Sequence, residues 1–266
     1  MSMSIGCVGC GNMGGAILAG LAASSLDCTL YGHTRTAARM APLEAAGVTR
    51  LDSARELARK ARYVVMAVKP YQIEALLAEM APEFGPDTVV ISVAAGISIA
   101  RLQAAVGGRC PVVRCMPNTP ALVGKGVFAL CFDDKVPAES KEDILRFFSQ
   151  LGVCLELPES RFTAFSALIG AGPAYVFGMM QGLVQAGVTL GLGRKDCRDM
   201  VAALFEGSAV MAARSDTPLM ELRDQVCSPG GLTIAGVNVL DRAGLSGLLV
   251  DAVLAADERG REMEKE

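Results

Sequence analysis

The amino-acid sequence predicts an α/β fold, with a parallel sheet covered by helices in the N-terminal half and an all-α C-terminal half. Three observations predict it. Apolar, β-branched runs alternate with helical patterns as far as Leu157, the signature of parallel strands joined by crossover helices. Beyond Pro158 strand-like runs nearly vanish. A glycine-rich turn, Gly9-Cys10-Gly11-Asn12-Met13-Gly14, stands between the first strand-like run and the first helix.

Taken in order, Ile5 to Val8 reads as a short strand and Met13 to Ala23 as a helix rich in Ala and Leu. Cys28 to Tyr31 reads as a second strand, followed by a helix from about Thr36 to Ala46. Tyr63 to Val68 is a near-continuous apolar run, as expected of a central strand buried on both faces. Thr88 to Val93, Pro111 to Arg114, Gly126 to Cys131 and Val153 to Leu157 read as further strands. Helical patterns at Tyr71 to Met80, Ile99 to Ala105 and Glu139 to Leu151 separate most of them. In the second half Arg161 to Ile169, Ala174 to Leu190, Lys195 to Ala213, Leu219 to Gln225, Thr233 to Arg242 and Gly244 to Glu262 read as helices with Gly or Pro at their ends. Small residues recur along them (Gly178, Gly182, Gly187, Ala202, Ala203, Gly207) and let helices approach closely, as across a subunit interface. The boundary is placed at Pro158-Glu159, giving domains 1–158 and 159–266.

Composition narrows the function. The 266 residues are 52% hydrophobic and 20% charged, enough to bury a sizeable core. With 25 basic and 28 acidic residues, a net charge of -3 gives no basic surface for nucleic acid or an anionic membrane. The N-terminus lacks a basic targeting region, apolar stretches are broken short of membrane-span length, and the nine cysteines are odd in number. These features predict a cytoplasmic protein with reduced, mostly buried thiols and a charged, solvated tail at Glu258 to Glu262. Cys7-Val8-Gly9-Cys10 spells C-x-x-C, but it has no second pair and the chain has a single histidine, so no metal site is expected.

The glycine turn matches G-x-G-x-x-G in the strand-turn-helix context that binds a dinucleotide. Gly9 permits the turn, Gly11 lets the backbone approach a pyrophosphate and Gly14 lets the helix pack on the strand. Asn12 and Met13 open a helix whose free N–H groups face the phosphates. At the end of the second strand an NAD site places a carboxylate; here the segment is His33-Thr34-Arg35. Arg35, with His33 and Thr34, is suited to a 2′-phosphate, so NADP(H) is favoured and NAD(H) is the weaker preference. The strand-end segments Ala67-Val68-Lys69-Pro70 and Met116-Pro117-Asn118 are expected to border the cofactor. In the helical half, Ser228-Pro229-Gly230-Gly231-Leu232-Thr233 reads equally well as an anion-binding helix start or as an ordinary turn with Ser228 as N-cap.

These motifs, with Gly170-Ala171-Gly172-Pro173-Ala174-Tyr175, occur in the order found in pyrroline-5-carboxylate reductases, which the chain resembles over nearly its whole length. The resemblance implies a Rossmann-type cofactor domain and an all-α C-terminal dimerisation domain. It implies an intertwined dimer that assembles further into a ring in some members, with the active site between one subunit's cofactor domain and its partner's helical domain. It implies NADPH-dependent reduction of 1-pyrroline-5-carboxylate to L-proline, the last step of proline biosynthesis. Backbone N–H groups around Ser228, Gly230 and Gly231 hold the substrate carboxylate in that reading, and Thr233 hydrogen-bonds the ring nitrogen as the catalytic residue. Ile169 and Ala171 stand where the family often has serines, and Leu232 where it commonly has a small or polar residue. The competing expectations are a β-hydroxyacid dehydrogenase-like enzyme, a reductase of another cyclic imine, and a non-catalytic NADPH-binding regulator.

Overall fold

The computed structural model describes residues 3–263. In chain order its elements are β1 (Met3–Val8), α1 (Asn12–Ala22), β2 (Cys28–His33), α2 (Ala41–Ala45), β3 (Thr49–Arg50), α3 (Ala54–Lys60), β4 (Tyr63–Met66), α4 (Pro70–Met80), β5 (Val89–Ser92), α5 (Ile99–Ala105), β6 (Val112–Met116), β7 (Gly126–Phe132), α6 (Ala138–Ser149), β8 (Gly152–Glu156), α7 (Phe162–Phe165), α8 (Gly172–Thr189), α9 (Arg194–Ala213), α10 (Leu219–Gln225), α11 (Leu232–Arg242) and α12 (Leu245–Met263).

By packing, the chain forms two compact units. One runs through Gly170 and takes in the segment from Asp257 onward; the other is Ala171–Ala256. The strands end at Glu156, where the sequence changes character. Phe162 and Phe165 of α7 are nonetheless buried with Ala129 of β7, so α7 packs with the sheet.

The first unit is an eight-stranded sheet in the order β3-β2-β1-β4-β5-β6-β7-β8. Every pairing is parallel except β6 with β7, which is antiparallel. The expected parallel sheet thus carries one antiparallel pairing, where only the 3₁₀ turn Thr119–Val123 joins the strands, too short for a crossover helix. β4 is buried at every residue, as its apolar run requires. One sheet face packs with α1 and α6 through residues such as Ile17, Leu21, Ile144 and Phe147. The other packs with α3, α4 and α5 through Leu57, Ile73, Leu77 and Leu102.

Two local expectations change. The helix expected over Thr36 to Ala46 is broken into a 3₁₀ turn, Ala37–Arg39, and the short α2. Pro42 lacks the N–H that a continuous helix would use. The helix α3 went unread in the sequence, although Ser53-x-x-Glu56 marks its start. The Ser53 hydroxyl accepts from the Glu56 N–H at 3.1 Å, and a Glu56 carboxylate oxygen accepts from the Asp52 N–H at 3.2 Å.

In the helical unit, α8 and α9 pack through Val184, Cys197 and Val201. A β-carbon on Gly187 would come 2.6 Å from the Cys197 sulfur, so this glycine sets the approach. Gly178, Gly182 and Gly207 face open space. Large apolar side chains are exposed along the unit, including Phe177, Leu204, Met211 and Leu248. By length and composition alone, one helical stretch, Glu159–Thr189, of mean hydropathy 1.4, would suffice to cross a membrane. The π turn Ser166–Gly170 ends before α8 begins at Gly172, and Pro173 falls in the first turn of α8, where it is tolerated. The charged segment Glu258 to Glu262 forms the last turns of α12 with Glu258, Arg259, Arg261 and Glu262 exposed, while Gly260 approaches Thr163 so closely that a β-carbon would lie 2.7 Å from its methyl.

Candidate functional site

The glycine loop forms as its residues dictate. Gly9 has φ +96°, and a β-carbon there would lie 2.6 Å from the Ala67 carbonyl oxygen. Only glycine meets both conditions. Its N–H donates to the His33 carbonyl at 2.8 Å, and the Ala67 N–H donates to the Val8 carbonyl at 2.8 Å, so β2 and the end of β4 grip the loop from either side. At Gly14 a β-carbon would stand 2.2 Å from the Gly9 carbonyl oxygen and 2.8 Å from the Cys7 sulfur, which is the close helix-strand packing expected of the third glycine. Helix α1 starts at Gly11 with no side-chain cap and no acidic residue in its first turn. Its leading N–H groups and positive dipole end are therefore available to an anion.

Cys7 and Cys10 lie beneath this loop, 0% and 2% exposed. The Cys10 thiol makes long contacts to the carbonyls of Cys7 and His33. The Cys7 thiol beside Cys10 lowers the Cys10 pKa and its own is raised well above the ordinary thiol range. They pack the floor of the cradle. All nine cysteines are free, five buried and four half-buried. Among the described residues no group of three or more His, Cys, Asp or Glu side chains is placed to hold a metal.

His33 ends β2, and its Nδ1 lies 3.0 Å from the Leu51 carbonyl oxygen. A carbonyl only accepts, so Nδ1 carries the proton of this contact and Nε2 is left outside it. Thr34 is half-buried and Arg35 is exposed beside it. The Ala67 to Pro70 segment leaves β4 beside Gly9, Lys69 being exposed as the N-cap residue of α4 and Pro70 its first residue. Met116 ends β6, and Pro117 and Asn118 are buried behind it. The Asn118 amide is committed internally: Oδ1 accepts from the Val127 N–H at 2.9 Å and Nδ2 donates to the Ile169 carbonyl at 3.3 Å. Glycine spacing and strand ends made these segments legible. Glu159 was not singled out. Its Oε1 accepts from the Ile99 N–H at 2.8 Å and from Arg114 Nη1 at 3.0 Å, tying the start of α5 to β6. No local motif announces a contact between residues so far apart in the chain.

In the helical unit, Gly230 has φ +67° and Gly231 is the N-cap of α11. Ser228 is not the cap; its carbonyl accepts from the Gly231 N–H at 3.0 Å, and its hydroxyl crowds Gly231, where a β-carbon would lie 2.2 Å away. The turn thus needs both glycines and leaves the first N–H groups of α11 without a side-chain partner. Thr233 is exposed in the first turn, its hydroxyl without a hydrogen-bond partner among the described residues. Leu232 beside it is 95% exposed.

Comparison with known proteins fits this arrangement. Residues 159–263 match the family model described as pyrroline-5-carboxylate reductase dimerisation, and residues 4–96 match that of NADP oxidoreductase coenzyme F420-dependent. The pyrroline-5-carboxylate reductase of Escherichia coli (strain K12) is 34% identical over the whole of both chains. Among solved structures, a pyrroline-5-carboxylate reductase from Coxiella burnetii superposes with a TM-score of 0.91 at 30% identity, covering 99% of each chain. The Plasmodium falciparum pyrroline carboxylate reductase with NADP bound superposes with a TM-score of 0.86 at 31% identity, covering 98% of each chain.

Proposed function

The chain belongs to the pyrroline-5-carboxylate reductase family, and from that premise we infer that it reduces 1-pyrroline-5-carboxylate to L-proline with NADPH. The observation that carries this reading is the pairing, in one chain, of a side-chain-free phosphate cradle at Gly9, Gly11 and Gly14 with a second helix start at Gly231 that leaves its N–H groups free. Residues 1–158 hold the cofactor, with Asn12 and Met13 at the phosphates, the His33-Thr34-Arg35 segment at the 2′-phosphate, and the Ala67 to Pro70 and Met116 to Asn118 segments along the rest of the molecule. Residues 159–266 hold the substrate and self-associate.

When bound, NADPH supplies the hydride. The imine nitrogen is basic enough to be protonated near neutral pH, so the chain needs no strong acid at this step. Its work is positioning and exclusion of water. The N–H groups around Ser228, Gly230 and Gly231 bind the carboxylate, and Thr233 orients the ring nitrogen by a hydrogen bond. Hydride adds to the imine carbon and the nitrogen keeps its proton, giving the secondary amine of proline. A hydroxyacid dehydrogenase would need a base for its alcohol; the chain's single histidine is His33, at the end of β2.

The exposed apolar side chains and uncontacted glycines of α8 and α9 support self-association through this unit as an intertwined dimer. The free, largely buried cysteines support a cytoplasmic setting. The test follows NADPH oxidation and proline formation with 1-pyrroline-5-carboxylate, beside NADH and a six-membered cyclic imine. Proline formed faster with NADPH supports the reading. Tight NADPH binding without turnover of either imine would reject it in favour of a regulatory role.

A further inference from the structure

Arg39 lies over the glycine loop. A β-carbon built on Gly11 would stand 3.0 Å from its Nη1, and among the described residues no other non-neighbouring atom comes within 4 Å of that point. Gly11 is the glycine whose missing side chain makes room for phosphate. The one group overhanging that room is therefore a cation.

The local fold holds it there. The chain leaves β2 at His33, makes the single 3₁₀ turn that ends at Arg39, and then buries Met40 completely. A β-carbon on Gly32 would lie 2.8 Å from the Met40 methyl, so Met40 is pressed against β2. This anchor fixes the residue before it beside the loop. Neither Arg35 nor Arg39 has an acidic partner among the described residues. His33 Nδ1 is spent on the Leu51 carbonyl, so only its Nε2 remains for a 2′-phosphate.

We propose that Arg39 is a second guanidinium on the 2′-phosphate of NADPH, acting with Arg35, and is a determinant of the preference for NADPH over NADH. The proposal rests on the cofactor reading given above. In this fold the ribose that bears the 2′-phosphate lies between the end of the second strand and the glycine loop. Arg35 and Arg39 both stand on the segment leaving that strand, whereas the pyrophosphate is served by the N–H groups of α1. Two guanidinium forks suit a dianionic phosphate better than one.

The experiment measures dissociation constants of NADPH, NADH and adenosine 2′,5′-bisphosphate for the wild-type chain and for Arg39→Ala, Arg39→Lys and Arg35→Ala, with thermal unfolding as a control on folding. Arg39→Ala is expected to weaken NADPH and the bisphosphate by about 10- to 100-fold, the loss of a charge-assisted contact. NADH binding should change by less than about twofold, and Arg39→Lys should fall between, since it keeps the charge but not the fork. Equal weakening of NADPH and NADH would place Arg39 on the pyrophosphate and overturn the proposal, as would no weakening at all. A wild-type chain without preference for NADPH overturns both this proposal and the cofactor reading. Preference for NADPH without imine turnover rejects the proposed reaction and leaves the Arg39 test intact.

Discussion

Asn118 reaches across fifty-one positions of sequence to donate a hydrogen bond to the carbonyl of Ile169 at 3.3 Å. Ile169 lies in the π turn Ser166–Gly170, whose wider winding disturbs the regular helical ladder. The other end of the same amide accepts from Val127. Asn118 thus fastens the strand-end loop at Met116 to both β7 and the π turn.

Replacing Asn118 with Ala leaves two backbone groups short of partners and should cost about 1–3 kcal/mol. Asn118→Asp keeps the acceptor for Val127 but sets a carboxylate against the Ile169 carbonyl, and should cost at least as much. Urea unfolding checks both. If the loop borders the cofactor, turnover should fall further than the loss of folded protein explains.

Gly14→Ala and Gly15→Ala form a matched pair one residue apart. At Gly14 the added carbon would meet the Gly9 carbonyl oxygen at 2.2 Å, whereas at Gly15 the nearest atom is 3.8 Å away. Gly14→Ala should destabilise by more than the roughly 1–3 kcal/mol of ordinary overpacking and displace the loop, weakening NADPH at least tenfold. Gly15→Ala should be neutral or slightly stabilising, since Ala favours a helix by about 0.5–1 kcal/mol. Calorimetric melting temperatures and NADPH titrations separate the two.

Tyr63 is fully buried, and its hydroxyl donates to Asp143 at 2.6 Å. Burial first, and the neighbouring carboxylate second, raise its pKa well above the ordinary phenol range. The folded state therefore keeps the proton where the unfolded chain, with a pKa of about 10, releases it. The stability this contributes is complete below pH about 10 and is lost as pH rises from there toward the folded-state pKa. Tyr63→Phe should cost about 1–2 kcal/mol near neutrality and flatten the alkaline decline. Unfolding midpoints in denaturant at pH about 8 and about 11 read both effects.

Phe177 on α8 is 65% exposed in the single chain. If this helix face meets a second copy, Phe177→Asp buries an unpaired charge at the interface and should shift the particle toward monomer in light scattering. NADPH affinity should change little, because the cradle belongs to the sheet.

Much of the fold was legible because its signals are local. Tyr63 to Met66 is apolar throughout and forms a buried central strand; Gly9 makes the turn and Gly14 the close helix-strand packing that their spacing implied. What escaped reading depends on distant partners or on short turns. The two-residue β3 carries too little pattern to stand out, and the antiparallel reversal at β7 depends on how a 3₁₀ turn closes. Arg35 was visible as the cation replacing an expected acid. Arg39 was hidden because the sequence suggested one continuous helix, and only the break before Pro42 turns it onto the loop. The Ser228 to Thr233 turn was legible as a helix start, but its cap proved to be Gly231.

The unpaired thiols have a practical consequence. Cys7, Cys10, Cys110, Cys115 and Cys197 are sealed in the native chain, and burial pushes the Cys110 thiol up to about 12. An alkylating pulse will find them only during transient openings. Each modified site, read by mass spectrometry, times the opening of its own region: Cys197 the α8–α9 pair, Cys115 the sheet interior, and Cys7 with Cys10 the floor of the nucleotide cradle. Added dinucleotide should slow the labelling of that last pair selectively, so the chain carries an internal clock for the breathing of its own cofactor site.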